Sequence, residues 1–76
     1  MQFKRKPATP IEANQYLLPG HYPKGVKLSK DGRPYVVTIH KQIVYIQPGD
    51  WVVAEHDGTH YYPIKDEVFR QTYEPV

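Results

Sequence analysis

Short runs of alternating apolar and polar residues, separated by turn-forming dipeptides, make up the chain from residue 26 onward. Four dipeptides are candidates for these turns: Asp31-Gly32, Lys41-Gln42, Pro48-Gly49 and Asp57-Gly58. Aspartate followed by glycine is typical of two-residue hairpins, and Pro-Gly is typical of type II turns. We therefore predict a mainly β fold, a small antiparallel meander or partly closed barrel, with strands near 26–30, 33–40, 43–47, 50–56 and 59–64.

The turns also predict which residues face each other across the strands. Leu28 pairs with Tyr35 across the first turn, and Val44 pairs with Val53 across Pro48-Gly49. One face then collects the predicted core: Val26, Leu28, Tyr35, Val37, Ile39, Val44, Ile46, Trp51, Val53, Tyr62 and Ile64. The opposite face is also partly apolar, with Val36, Ile43, Tyr45, Val52, Ala54 and Tyr61. Because antiparallel sheets usually have one polar face, we expect the second face to be covered by a curled sheet, a helix, a second subunit or a ligand.

The two ends of the chain give weaker signals. Residues 8–18 can form another strand, which Pro10 restricts to an edge or a strand start. Asp66 can cap a short C-terminal helix whose apolar side chains include Phe69 and Tyr73. We expect residues 1–6, which include Lys4-Arg5-Lys6, to be a flexible basic terminus of one small β-rich domain spanning residues 1–76.

Composition narrows the classes of protein. The 76 residues carry a net charge of +2 and no cysteine, which excludes disulfides and thiolate metal sites. Residues 1–38 hold seven Lys or Arg and two acidic residues, whereas residues 39–76 hold three and six. The apolar runs are far shorter than the roughly 20 residues that span a bilayer, so we expect no membrane partner. A protein of the cytosol is the default expectation.

Catalytic motifs are missing from the sequence. It contains no glycine-rich phosphate loop, no serine nucleophile elbow and no HExxH sequence. His56 and His60 flank a turn, but a two-residue turn directs them to opposite faces, so one ion could not easily bind both. We expect Glu55 and His60 to form a surface cross-strand pair. The sequence predicts no enzyme, no cofactor and no metal site.

Aromatic and basic residues are the best candidates for ligand binding. Trp51 is predicted to anchor the core rather than stack on a ligand. The candidate binding residues lie on loops, strand ends and the second face: Tyr22, Lys24, Lys27, Arg33, Tyr45 and Tyr61, with Lys41 nearby. Together they could form an anion pocket with stacking walls. The alternative is a solvated basic edge that prevents sheet-to-sheet aggregation.

Both ends of the chain resemble a known group. Phe3-Lys-Arg-Lys-Pro7 with Ile11-Glu-Ala13, and then Pro48-Gly-Asp-Trp-Val-Val53, Tyr62-Pro63 and Val68-Phe69-x-x-Thr72-Tyr-Glu74, resemble short bacteriophage proteins that begin near RKKPVVIEA and end near PGDWII-G--YP-KPDIF--TYE. Residues 19–37 are not covered. Gln42 stands where the group usually has glycine, and Ile64-Lys-Asp66 stands where it often has Cys-Lys-Pro, which argues against a thiol-based role. The resemblance implies viral origin and action in the host bacterial cytoplasm, and most members of the group have no assigned activity.

The favoured hypothesis is a non-catalytic phage accessory protein that sequesters a nucleotide-derived immune signal. Lys24, Lys27 and Arg33 would neutralise phosphates, while Tyr22, Tyr45 or Tyr61 would stack on a base. The alternative is an inhibitor or adaptor that docks on a host or phage protein through Tyr45, Tyr61 and Val52. Nucleic-acid binding ranks below both because the net charge is small. A homo-oligomer, a dimer or larger, is expected.

Overall fold

The computed structural model describes residues 2–5 and 10–75, with the backbone alone at 2–5, 10, 74 and 75. These residues form eight strands and one helix: β1 (Gln2–Arg5), β2 (Pro10–Gln15), β3 (Lys27–Leu28), β4 (Pro34–Val37), β5 (Ile43–Tyr45), β6 (Trp51–Ala54), β7 (Tyr61–Ile64), α1 (Asp66–Thr72) and β8 (Tyr73–Pro75). One antiparallel sheet has the order β7-β6-β2-β1-β8 and the other β3-β4-β5. The predicted mainly β antiparallel fold with a short helix is confirmed, but its sheets do not close into a barrel. No helix in these residues is long and apolar enough to cross a membrane.

Strand β2 joins two halves of the larger sheet. Its first residues, 10–12, pair with β1, and its last, 13–15, pair with β6. The basic start of the chain was expected to be flexible, but residues 2–5 form β1 between β2 and β8, and Lys6 lies outside the described residues. The local sequence does not predict β1, because this strand is stabilised by pairing with two other segments of the chain, β2 and β8.

The hairpin around Asp57-Gly58 has the predicted register. Ala54 pairs with Tyr61, and the backbone N–H of Glu55 donates to the carbonyl of His60 at 2.8 Å. The Asp57 carboxylate accepts hydrogen bonds from the N–H groups of Thr59 and His60, both at 3.0 Å. This local capture of backbone donors by an aspartate is what stabilises such loops.

The two hairpins of the smaller sheet have a different register from the predicted one. In the first, the N–H of Ser29 donates to the carbonyl of Arg33 at 2.9 Å, which leaves a three-residue loop that ends on Gly32 with φ +83°. In the second, Thr38 bonds Gln42 in the same way, and the third loop residue, Lys41, has φ +61°. Such loops combine a type I turn with a left-handed residue. The two-residue turns at Asp31-Gly32 and Lys41-Gln42 were therefore wrong.

The new register changes the faces of the smaller sheet. Lys27, rather than Leu28, pairs with Tyr35, and Tyr35 in turn pairs with Tyr45. The predicted pair of Leu28 with Tyr35 is therefore wrong, because Leu28 pairs with Pro34. Leu28 was expected in the core, but it is 51% exposed.

The Pro48-Gly49 turn forms, but it does not close a hairpin. The N–H of Asp50 donates to the carbonyl of Gln47 at 3.0 Å, and the Asp50 carboxylate accepts from the N–H of Gln47 at 2.9 Å. Beyond the turn, Tyr16 accepts from the N–H of Gly49 at 2.6 Å and donates to the carbonyl of Asp50 at 2.8 Å. The chain is therefore captured by the end of β2, and β5 and β6 lie in different sheets.

Two hydrophobic cores result. The first lies between the larger sheet and α1 and comprises Ala13, Trp51, Val53, Phe69 and Tyr73, with Ile11, Tyr62 and Ile64 packed against it. The second is shared by the two sheets and comprises Tyr16, Val36, Ile46 and Val52, with Tyr22, Val26, Val44 and Tyr61 packed against it. Trp51, Val53 and Ile46 are buried as predicted. Val36 and Val52, assigned to the second apolar face, are also buried, so the molecule covers much of that face itself.

Asp66 ties α1 to the larger sheet. The predicted cap is wrong by one residue, because Lys65 is the N-cap residue and makes no side-chain capping bond, while Asp66 is the first helical residue. Its carboxylate accepts from Trp51 Nε1 at 2.8 Å, Gln15 Nε2 at 3.2 Å and Arg70 Nε at 2.9 Å. The hydrogen bonds from Trp51 and Arg70 hold the pKa of Asp66 below its ordinary value.

The Asp66 carboxylate makes the free energy of unfolding depend on pH. A group whose pKa is lower in the folded state stabilises the fold above the pKa of the unfolded state, and that stabilisation is lost as the pH falls through the folded value. We expect the free energy of unfolding to decline as the pH falls below about 4, and to decline less steeply in Asp66→Asn. Urea unfolding at pH 7, 4 and 3 measures both slopes. Identical slopes would contradict the role of the Asp66 charge, since Asp31 and Asp57 titrate equally in both proteins.

Candidate ligand-binding face

The structure separates the six candidate residues into three places. Lys27, Arg33 and Tyr45 lie together at the outer face of the smaller sheet, the face turned away from the second core. Lys24 and Tyr61 line a cavity elsewhere. Tyr22 packs against the second core, with its ring 5.5 Å from that of Tyr16. The single pocket expected from the sequence therefore does not form within one chain.

Strand alternation builds the outer face. Val36 and Val44 pair with each other and point into the second core, so their neighbours in β4 and β5 point outward. Lys27, Tyr35 and Tyr45 form one cross-strand row. Tyr35 was not among the candidate residues because the predicted register placed it in the core. The sequence did contain a signal for its position. Tyr35 is the neighbour of Val36 along the chain, just as Tyr45 is the neighbour of Val44, so the two tyrosines share the face opposite to the two valines.

The aromatic side chains of this face are arranged around Arg33. The rings of Tyr35 and Tyr45 meet edge to face, with centroids 5.9 Å apart and an interplanar angle of 64°. The Arg33 guanidinium carbon lies 4.0 Å from the centroid of the Tyr45 ring, in cation–π contact. Tyr45 is 44% exposed and Ile43, also on this face, 59%. The face therefore offers flat, accessible rings beside a fixed cation.

The charge of the face is positive and moderate. Lys27 and Arg33 are both exposed. Asp31, in the adjacent loop, accepts a hydrogen bond from the Ser29 hydroxyl, which together with backbone donors and Arg33 lowers its pKa. Its negative charge offsets part of the cationic charge. A guanidinium beside two tyrosine rings suits a ligand that joins an anionic group to a flat ring.

A separate cavity of about 370 Å³ lies against the larger sheet. Its lining comprises Glu12, Asn14, Lys24, Val52, Ala54, Gly58 and Tyr61. The Tyr61 ring also packs on Gly25, where an added Cβ would lie 2.3 Å from the ring carbon Cδ1. The lining carries one cation, one carboxylate and little exposed aromatic face, so it matches an anionic ligand less well than the outer face does.

The hairpin that contains His56 and His60 is stabilised by hydrogen bonds of its own acidic side chains. The His60 ring pairs with Asp57, and this hydrogen bond keeps the pKa of Asp57 well below its ordinary value. Glu55 faces His60 in the backbone ladder as expected, but its carboxylate accepts instead from the N–H of Ile39 at 2.7 Å. Within residues 2–5 and 10–75, no group of three His, Asp or Glu side chains is arranged to hold a metal ion.

Comparisons with protein-family models, curated proteins and solved structures find no match for this chain. The resemblance to short bacteriophage proteins accordingly stays an expectation from the sequence.

Proposed function

We propose that this protein is a non-catalytic binding protein for a nucleotide-type ligand, held on the outer face of the smaller sheet. Tyr35 and Tyr45 stack on the base, and Arg33 and Lys27 neutralise the phosphates. In a phage-derived protein of the bacterial cytoplasm, such binding would sequester a nucleotide signal of the host's immunity. The proposal depends on one observation above all, the Arg33 guanidinium over the exposed Tyr45 ring.

Three properties of the face support a nucleotide over a simple anion or an apolar molecule. Stacking on tyrosine uses the flat base, which every nucleotide has. A guanidinium can bind phosphate oxygens through paired hydrogen bonds while its plane stays against a ring. The apolar neighbours Val37 and Ile43 lower the hydration of the site, which strengthens both contacts.

The protein-docking alternative loses most of its anchors. Val52 is only 2% exposed, and Tyr61 packs against the second core and on Gly25. Of the three residues proposed to dock on a partner protein, Tyr45 is the most exposed. Hot spots of protein interfaces are clusters of accessible anchors, so we place the nucleotide first.

A ligand panel tests the proposal. The pure protein is mixed with linear and cyclic mono- and dinucleotides of each base, and thermal stability and calorimetric heat are measured. A ligand present at 100 times its dissociation constant should add about 2.7 kcal/mol to the free energy of unfolding. Tyr45→Ala should weaken binding by about 1–3 kcal/mol, a roughly 5- to 150-fold rise in Kd.

Lys24→Ala is the matched control, since it removes one exposed cation from the same basic half but from the separate cavity. It should leave the Kd within about twofold, whereas Arg33→Ala should raise the Kd about tenfold or more. If Lys24→Ala weakens binding and Arg33→Ala does not, the ligand occupies the cavity and the proposed face is wrong. Failure of the whole panel to stabilise the protein would reject the nucleotide.

A further inference from the structure

The free edges of the two sheets differ in how well they are protected from pairing with a strand of another chain. Among the described strands, β7 and β8 bound the larger sheet, and each contains a proline, Pro63 and Pro75, which has no N–H to donate. Edge β3 is two residues long and contains Lys27. Lysines, prolines and short strands are the usual devices that block pairing at an edge. The fourth edge, β5, is three residues long, but it carries neither a proline nor a lysine: residues 42–47 read Gln-Ile-Val-Tyr-Ile-Gln.

The backbone of β5 has a defined set of outward-facing groups. Gln42 and Ile46 bond to β4, since the carbonyl of Gln42 accepts from Thr38 and the N–H of Ile46 donates to Pro34. In an antiparallel ladder every second residue turns its N–H and C=O away from the partner strand. Ile43 and Tyr45 therefore direct their backbone donors and acceptors to the free edge.

We propose that two copies of this chain pair through β5, antiparallel and around a two-fold axis. Outside Ile43 and Tyr45, the outward groups are already used, because Lys41 donates to Thr38 and Gln47 bonds Asp50. The register with the most hydrogen bonds thus places Ile43 opposite Tyr45 of the partner subunit, with Val44 on the axis and four backbone hydrogen bonds across it. The two smaller sheets become one six-stranded sheet.

A second copy fits this edge better than an unrelated strand. The two facing strands carry no charge, so they do not repel each other, and each supplies the donors that the other's acceptors need. Exposed Ile43 gains an aromatic neighbour across the axis, and exposed Tyr45 gains an aliphatic one. Isologous pairing of this kind closes after two copies.

The pairing also completes the candidate site, a step that rests on the proposed function. The outer faces of both copies become continuous, so that each Tyr45 lies beside Ile43 of the partner subunit. The combined surface holds four tyrosines, two arginines and two lysines, arranged symmetrically. A ligand with two bases and two phosphates could use both halves at once.

Sedimentation equilibrium of the full chain tests the dimer. An edge contact of this size falls below the roughly 1,000 Å² typical of stable interfaces, so we expect a reversible dimer that populates between about 10 µM and 1 mM. Ile43→Pro removes the outward N–H without touching the β4 ladder and should weaken association at least tenfold. Leu28→Pro is the matched control, because by the same alternation Leu28 directs its N–H to the opposite edge of the sheet.

A cross-linking experiment covers the case in which Ile43→Pro does not fold. The chain has no cysteine, so Val44→Cys introduces a single thiol at the two-fold axis, where Cβ atoms of facing residues lie about 4.5–5.5 Å apart. Mild oxidation should give a disulfide-linked dimer, and Leu28→Cys should stay monomeric. A wild-type protein that is monomeric up to about 1 mM, or equal cross-linking of both variants, would overturn the pairing.

The outcomes separate the two proposals. A dimer that binds no nucleotide supports the β5 pairing and rejects the proposed function. Nucleotide binding by a strictly monomeric wild-type protein supports the function and rejects the pairing. If both hold, the wild-type protein should bind a dinucleotide more tightly at protein concentrations at which the dimer forms, while its affinity for a mononucleotide stays the same at all protein concentrations.

Discussion

Replacing Phe69 with alanine should lower the free energy of unfolding by about 3–5 kcal/mol, the cost of removing a fully buried aromatic ring. Phe69 is 1% exposed, and its ring stacks on Trp51 at 4.0 Å between centroids and on Tyr73 at 4.9 Å. A domain of this length has a total stability of about 4–11 kcal/mol, so the variant would be partly unfolded at 37 °C. Urea unfolding followed by circular dichroism measures the change.

Val68→Ala is the control for the Phe69 variant because Val68 lies next to it on α1 but is 48% exposed. We expect its free energy of unfolding to stay within about 0.5 kcal/mol of wild type, since exposed substitutions rarely exceed that. Phe69→Leu should fall between the two. If Phe69→Ala lost no more than Val68→Ala, α1 would not be packed on the sheet as described.

Gly25→Ala should be the second most damaging change, at about 2–5 kcal/mol, because it combines two penalties. Gly25 has φ +96°, which disfavours any side chain, and a Cβ there would lie within 2.6 Å of three carbons of the Tyr61 ring. Tyr61 would have to leave the second core to make room. Denaturant unfolding gives the loss, and near-ultraviolet circular dichroism reports the tyrosine.

Gly32→Ala separates the two penalties. Gly32 has a similar φ of +83°, but an added Cβ would meet nothing within 4 Å. This variant should lose only the backbone term, about 1–2 kcal/mol. Equal losses at the two glycines would show that Tyr61 yields freely. A Gly25→Ala/Tyr61→Ala double variant should lose less than the sum of its single variants, as expected for groups in contact.

Local chemistry explains which parts of the fold the sequence predicts. The Asp57-Gly58 hairpin has the predicted register because its loop is stabilised by its own aspartate and needs nothing distant. The Pro48-Gly49 turn also forms as predicted, with Asp50 closing it. These features depend on residues within four positions of each other, where turn preferences are strong.

The wrong strand pairings depend on a choice between alternative loops or partners that the local sequence pattern does not decide. Asp31-Gly32 suits a two-residue and a three-residue loop alike, and the choice between them shifts the register by one residue. The strand after Pro48-Gly49 could pair with β5 or with β2, and the hydrogen bonds of Tyr16 decide for β2, some 35 residues earlier. Strands β1 and β8 are likewise fixed by distant partners.

The candidate site was likewise predictable only as far as residue type, and not strand register, decides it. Residue type alone selected Lys27, Arg33 and Tyr45 as candidates, and the structure places these three side chains on one face. Tyr35 could be assigned only with the true register. Tyr22 and Tyr61, which were also candidates, pack against the second core instead. A tyrosine can anchor a core or line a site, and the sequence does not say which.

Strand β6 contributes Trp51 and Val53 to one core and Val52 to the other, so one side of β6 packs against α1 and the other side against the smaller sheet. Removing either α1 or the smaller sheet would expose the apolar side chains on one side of β6. We therefore expect the chain to unfold in a single all-or-none transition, so that a destabilising change far from the outer tyrosines lowers the fraction of molecules in which they are folded.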